Sequence, residues 1–338
     1  QVVTDLTHTY YPKKPLVPFI KVTQDRVVLE IMRGCIRGCR FCQAGMVYRP
    51  VREKNIERLK ALATQMIEAT GYEEISLSSL SSSDYSSLEE LVNFLIDECR
   101  ERRVNISLPS LRIDAFSLDV MSKVQDIKKS SLTFAPEAGS QRLRDVINKN
   151  VTEEDLLNSC RTAFAGGWSS VKLYFMLGLP TETDEDVLGI ADLANKVYHV
   201  WRNNTPNRSR GVRITVSTSC FVPKSHTPFQ WEGQNTQEEY LRKVTLLREN
   251  LRNKSITYNW HDPETSFLEA VLSRGDRRIA DVIEEAWRHG AKFDSWSEYF
   301  DYQRWMDALR ENQNSPERQQ LQVFEDLVKD REKDYTEA

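Results

Sequence analysis

The sequence predicts an α/β fold of parallel strands joined by crossover helices, with a helical extension after it. Three observations predict it. Strand-like and helix-like segments alternate about six times between residues 27 and 221. After Pro228 the pattern changes, and helical segments follow with no convincing strand. The 338 residues leave room for about two domains, or one large barrel-type domain with an appendage. Alternation alone fits either an α/β barrel or a doubly wound sheet.

The elements follow in order. Residues 1–20 carry Tyr10, Tyr11 and Pro12, then Pro15 and Pro18, and read as irregular. The chain begins at Gln1 rather than Met, so we expect this stretch to be a linker or the end of an upstream domain. Residues 27–31 form a β-rich run that leads directly into Gly34 and a group of cysteines. Residues 54–70 have helical periodicity in Ile56, Leu59, Leu62, Ala63, Met66 and Ile67, and Gly71 ends them. Residues 74–80 read as a strand. Asp84 or Ser86 then caps a helix to about Arg102, with Leu88, Leu91, Val92, Leu95 and Ile96 on one face. A strand over 104–108, a short helix from Ser117 and a strand over 131–135 come next. Thr152 and Asp155 make a capping box for a helix that Gly166 and Gly167 end. Residues 171–177 are a strand, Thr183 opens a helix to about Trp201, and residues 212–221 are a strand. Helices over 237–252, 265–273 and 277–289 follow, then an aromatic, acidic stretch over 293–305 and a charged, solvated tail.

Composition narrows the function classes. Net charge is −4, from 46 basic and 50 acidic residues, which excludes a nucleic-acid binder held by bulk charge but not a local basic groove. The longest apolar runs, 27–32 and 171–179, fall far short of the roughly 20 residues of a membrane helix. The first residues show no basic-then-apolar run of the signal-peptide kind, so we expect no secretory signal. Three of the six cysteines sit within eight residues, which a secreted disulfide scaffold of this length would not do. We therefore expect a reducing, cytoplasmic location, no membrane contact, and a cysteine site that does something other than cross-link.

That site is Cys35, Cys39 and Cys42, a Cys-x3-Cys-x2-Cys array in a glycine-containing loop after the first strand. Three thiolates so spaced wrap one face of a [4Fe-4S] cluster and leave the fourth iron without a protein ligand. A structural zinc site would want a second pair of ligands nearby, and none follows. A redox pair of Cys39 and Cys42 would leave Cys35 unexplained. Cys99 and Cys160 read as packing residues. Cys220, at a strand end, reads as a small buried residue or as a substrate-handling thiol. Arg33, Arg37, Arg40, Arg49 and Arg52 surround the loop, either to steer a phosphate or to balance the charge of a bound cofactor.

The array, with Phe41 before its last cysteine, resembles the signature of the radical S-adenosylmethionine (SAM) superfamily. Further segments are similar to that family in the same order. Ser78 and Ser79, in the run to Asp84, stand where the family has a Gly-Gly-Glu-like segment that binds the SAM amino group. Arg112, after Pro109 at the C-terminal edge of a strand, would either fork onto the SAM carboxylate or pair with Asp114 at the surface. Glu137 lies in Pro136-Glu137-Ala138-Gly139-Ser140, similar to a Gly-x-Glu-x-Gly-Ser segment, where it would accept from ribose hydroxyls or substrate. Gly139 would permit close backbone approach. Gly178-Leu179-Pro180-Thr181-Glu182-Thr183 resembles the turn that packs near adenine, with Thr181 in place of a second glycine. The run from Phe221 to Phe229, with Lys224 and His226, resembles the segment that closes the barrel.

The resemblance implies a partial (β/α)6 TIM-type barrel over residues 21–230, with residues 231–338 as the helical C-terminal extension. It implies a [4Fe-4S] cluster on Cys35, Cys39 and Cys42, and SAM beside Phe41, Ser78, Ser79, Arg112, Glu137, Gly178, Leu179 and Pro180. Glu137 and Cys220 are the candidate catalytic residues. An electron donor such as flavodoxin or ferredoxin is implied, with RNA or a small molecule as substrate. The nearest subgroup is a set of uncharacterised bacterial proteins with a cobalamin-binding-like domain ahead of the barrel. Any cobalamin would come through that domain, because the Asp-x-His-x-x-Gly ligation signature is not found here. Three readings compete: a radical SAM enzyme that methylates or otherwise modifies a substrate, a methylthiotransferase, and a non-catalytic Fe–S or zinc interaction module. The second needs three more clustered cysteines.

Overall fold

The computed structural model describes residues 3–107 and 132–313. Parallel strands joined by helices build it, as the alternation predicts. The first sheet holds β1 (Val27–Glu30), β4 (Glu74–Ser78) and β5 (Asn105–Ser107) in the order β1-β4-β5. The second holds β6 (Leu132–Glu137), β7 (Ser170–Leu177), β8 (Arg213–Cys220) and β9 (Ile256–Trp260) in sequence order. Every pairing in both sheets is parallel. A separate two-strand ladder, β2 (Met32–Arg33) against β3 (Arg52–Glu53), is antiparallel.

The helices are α1 (Ala44–Val47), α2 (Ile56–Thr70), α3 (Leu88–Arg102), α4 (Gln141–Val146), α5 (Glu153–Ala165), α6 (Asp184–Asn204), α7 (Gln237–Asn250), α8 (Pro263–Arg274), α9 (Ile279–Arg288) and α10 (Tyr302–Gln313). Their ends follow local chemistry. The Asn55 side chain accepts from the first-turn N–H groups of α2, and Gly71 ends that helix in the left-handed conformation. Thr152 with Asp155, and Thr183 with Asp186, form complete capping boxes. The helix expected from Ser117 and the segment with Arg112 lie outside the described residues.

Strand alternation sorts side chains onto two faces. In β7, Val171, Leu173, Phe175 and Leu177 turn toward the helices, where they share one core with α5, α6 and α7. Lys172 and Tyr174 take the other face and are exposed. In β8, Ile214, Val216 and Cys220 lie on the buried face, and Ser217 and Ser219 on the other. A second core packs β1 and β4 on α2 and α3. Each leucine or phenylalanine fully buried in these cores contributes roughly 1.5–3 kcal/mol.

Two elements depart from the sequence reading. β9 lies where only helices were expected, and it extends the sheet by pairing Ile256–Trp260 with Ile214–Thr218. Helix α10 buries Trp305, Ala308 and Leu309 against α8 and α9, so the start of the charged tail is part of a third core. The stretch before β1 is tied down, with Val3 bonded to Arg52, Thr7 to Asn55 and Tyr11 to the first sheet. Leu6 is buried, and the Tyr11 hydroxyl donates to the Val28 carbonyl (2.7 Å) and accepts from the Glu30 N–H (3.0 Å). Among the described residues no helix is long and apolar enough to cross a membrane.

Candidate functional site

The cysteine loop runs from Gly34 to Val51, and the β2–β3 ladder joins its two ends. The Cys42 N–H donates to the Cys39 carbonyl (3.1 Å), and α1 begins directly after the last thiol. None of the three cysteines is in a disulfide; Cys39 is buried and Cys35 and Cys42 are half-buried. A zinc ion with Zn–S bonds near 2.3 Å holds its thiolates within about 4 Å of one another. Among the described residues the only acid, thiol or imidazole trio gathered within 4.8 Å is Glu285, His289 and Glu311, in the C-terminal helices. The loop thiols therefore stand wider than one ion needs. The donor set, three thiols with no fourth cysteine in the loop, fits thiolates that each take a different iron.

The five arginines around the loop are engaged. Arg33 pairs with Glu30, and Arg37 grips Asp84 through two hydrogen bonds of 2.5 and 3.1 Å. Arg49 donates to the Ile36 and Arg37 carbonyls, and Arg52 to the carbonyls of Val3, Tyr48 and Pro50. The Arg40 backbone N–H donates to the Ile147 carbonyl and its guanidinium to the Val146 carbonyl. These side chains brace the loop. Asp84 is thus the partner of Arg37 instead of a helix cap, and Ser87 occupies the N-cap of α3 without a side-chain bond.

The ends of β6, β7 and β8 meet the loop. Phe41 packs on an apolar cluster that includes Ile147, Leu179, Phe221 and Phe229. Phe221 and Phe229 contact edge to face, with ring centroids 6.1 Å apart. Asn148 Nδ2 donates to the Gly38 carbonyl (2.8 Å), Gln43 Nε2 to the Ser225 carbonyl (2.9 Å), and the Phe229 N–H to the Arg40 carbonyl (3.3 Å). Leu179 and Pro180 are buried. Ser78 ends β4 opposite Glu30, Ser79 bonds Ser82 through their hydroxyls (2.9 Å), and the buried Ser81 hydroxyl has no hydrogen-bond partner. An unsatisfied buried hydroxyl beside the cysteine loop is the kind of group a bound polar ligand would satisfy.

Glu137 stands at the end of β6, where the register with β7 shifts, and its φ of +71° is left-handed. Lys149 Nζ donates to its Oε1 (2.9 Å). The glycine two residues on serves a different contact from the one expected. A Cβ at Gly139 would run into the backbone of α6 at Asp186 and Ile190, so this glycine lets the turn and helix pack closely. Gly178 is left-handed (φ +89°), and a Cβ there would strike the Asn235 side chain. Its N–H donates to Glu182 Oε2 (2.8 Å), which also accepts from Lys243 Nζ (2.8 Å). That ion pair is closed off, with side chains 2% and 5% exposed.

Several cations near the strand ends are spent within the fold. Arg142 pairs with the buried Asp186, whose carboxyl also accepts from Ser140 and the Thr183 N–H. Burial alone would raise that carboxyl, but these hydrogen bonds outweigh it and hold it below the usual carboxylate range. Arg144 is buried and donates to the Ala138 and Gly139 carbonyls. Lys224 pairs with Glu269 of α8, while His226 is exposed.

Cys220 is not brought to the loop. It is 8% exposed on the helix-packed face of β8, and lines a cavity of about 190 Å³ with Gln234, Tyr240, Phe267 and Tyr302. Cys99 and Cys160 lie in separate cores, and burial pushes both thiols up, that of Cys99 to about 12. The sequence reading did not single out Asn148 or Lys243. No local pattern marks them, because each acts on a segment far along the chain.

Known proteins are similar to this chain over part of its length. Residues 29–194 match the Radical SAM superfamily. An uncharacterised protein of Methanocaldococcus jannaschii is 33% identical over 289 residues, 83% of this chain and 61% of its own length. A tRNA-2-methylthio-N(6)-dimethylallyladenosine synthase of Lachnoclostridium phytofermentans is 27% identical over 232 residues, 66% of this chain and 48% of its own. The chain thus spans about half to three-fifths of these relatives. A radical S-adenosylmethionine methyltransferase from Kitasatospora setae aligns with 60% of this chain and 37% of its own at TM-score 0.47 and 11% identity.

Proposed function

Because residues 29–194 belong to the radical SAM superfamily, we propose that this chain is an enzyme that binds a [4Fe-4S] cluster on Cys35, Cys39 and Cys42 and uses it to cleave SAM reductively. Its substrate, an RNA or a small molecule, is modified by methylation or another radical reaction. The observation that carries this reading is the loop itself. Three thiols outside any disulfide sit in a braced loop after a parallel strand, and the ends of three further strands pack on it.

When bound, the cluster supplies the electron that breaks SAM and an open iron that takes its amino and carboxylate groups. The chain's own residues hold and orient. The thiolates take three irons, and the arginine contacts keep the loop backbone from relaxing around them. Ser78 and Ser79, at the end of β4, offer hydroxyl acceptors to an ammonium. Glu137, fixed by Lys149, offers a carboxylate to ribose hydroxyls or to substrate. The Gly178–Thr183 turn, sealed by Glu182 and Lys243, gives adenine a fixed wall. An electron donor of the flavodoxin or ferredoxin kind completes the system.

A methylthiotransferase would need a second cluster, and Cys99 lies in a different core from Cys160 and Cys220, so these three do not make its ligand set. The test is direct. Anaerobic reconstitution followed by dithionite and SAM should yield 5'-deoxyadenosine. About four irons per chain with no nucleoside would sink the enzyme reading in favour of an Fe–S interaction module. Crosslinking to RNA in cells then separates the two substrate classes.

A further inference from the structure

We propose that Lys149 is a positioning residue that fixes the Glu137 carboxylate against the cysteine loop, an inference that rests on the reading above. Glu137 and Lys149 form a pair that water scarcely reaches, with side chains 17% and 13% exposed. Lys149 Nζ also stands 5.9 Å from the centroid of the Phe41 ring, so its charge lies between the end of β6 and the loop that carries the thiols. Cations favour the face of an aromatic ring in this way.

The backbone is built to put it there. Lys149 lies between two left-handed asparagines, Asn148 (φ +53°) and Asn150 (φ +52°), and its N–H donates to the Arg144 carbonyl (2.9 Å). Asparagine is among the few residues that accept this conformation readily. The residues just before Lys149 clamp the loop: Val146 and Ile147 accept from Arg40, and Asn148 donates to Gly38. One short segment therefore holds the cysteine loop by its backbone and the Glu137 carboxylate by a charge.

Folding alone does not call for this arrangement. A left-handed strand end is most easily made with glycine, and a glutamate occupies it here. Replacing a pair held away from water by apolar side chains is often neutral or stabilising, so stability alone does not demand it. What the pair does supply is a carboxylate at a set distance from the thiol loop.

The experiment uses the full reconstituted chain with Lys149→Met and Lys149→Arg. Iron per chain is measured, and the spectrum of the reduced cluster is titrated with SAM. Lys149→Met should keep its iron and its SAM-free spectrum, yet need about tenfold more SAM for the half-maximal spectral change, and Lys149→Arg should recover most of the loss. An unchanged half-saturation in Lys149→Met overturns the proposal. Iron loss in that variant also overturns it, since Lys149 would then be scaffold for the loop. If the parent spectrum does not respond to SAM, it is the enzyme reading that fails. A cycle without cofactor then judges Lys149: unfolding midpoints of Lys149→Met, Glu137→Gln and the double variant should be non-additive, and additive shifts would overturn the pairing.

Discussion

The cysteine loop and the turn from Gly178 to Thr183 both follow a parallel strand, yet polar contacts brace the first from outside while a buried ion pair seals the second from within. Arg37, Arg40 and Arg49 within the loop, and Arg52 just after it, spend their donors on carbonyls and on Asp84. The turn has Glu182 and Lys243 closed off beneath it and Leu179 in the core. The difference follows from what each must do. A loop that presents thiols to a ligand keeps Cys35 and Cys42 only half-buried, so its backbone is held by many modest bonds. A turn that only supplies a wall can be filled in completely.

Four changes would break or sharpen this contrast. The largest effect belongs to Cys42→Ala, which should lose the cluster and SAM cleavage together. Iron analysis and visible absorbance check this, and an intact cluster would refute the ligand assignment. Next is Lys243→Met. Removing one partner of a buried pair leaves an uncompensated charge, so stability should fall by about 3–5 kcal/mol, read as a lower urea midpoint. Adding Glu182→Gln should restore much of it. A midpoint unmoved by Lys243→Met would mean that the turn is not sealed by this pair.

Those two sites were not equally legible. The loop could be read because its chemistry is local: three cysteines in eight residues, with glycines between them. The caps at Asn55, Thr152 and Thr183 were legible for the same reason, since each side chain serves N–H groups within three residues. Lys243 reaches a partner 61 residues away, and Asp84 one 47 residues away, so neither announces its role in the sequence. Asp84 looks like a cap because aspartate before a helix usually is one. β9 was missed because only Ile256 is buried in it, and a five-residue run between two helices carries little periodicity. Gly139 was legible as a place of close approach, but whether a ligand or a helix approaches is decided by α6.

The third change concerns Asp186, which ties the two turns after β6 and β7 together. Its folded-state carboxyl is held below the usual range despite burial, so it stabilises the fold fully above the unfolded value near 3.9, and that contribution fades as pH falls below it. Asp186→Asn should cost roughly 1–3 kcal/mol at neutral pH and flatten the acid limb of the stability profile. An acid limb as steep as the parent's would remove Asp186 from its cause. The smallest effect is expected for Arg37→Gln. Its partner Asp84 is nearly buried but Arg37 is one-quarter exposed, so the loss should be about 1 kcal/mol or less. Its clearer mark should be faster loss of iron in air, and a variant that retains iron as the parent does would show that Asp84 is not part of the loop's bracing.

The Tyr11 hydroxyl has a consequence of a different kind. β1 is an outer strand of its sheet, and Tyr11 takes up the Val28 carbonyl and the Glu30 N–H on its unpaired side. An open strand edge is a template for another chain. One phenol thus does for β1 what a neighbouring strand would do, and a chain shortened past Tyr11 should be recovered as aggregates, at protein concentrations where the longer chain stays dispersed.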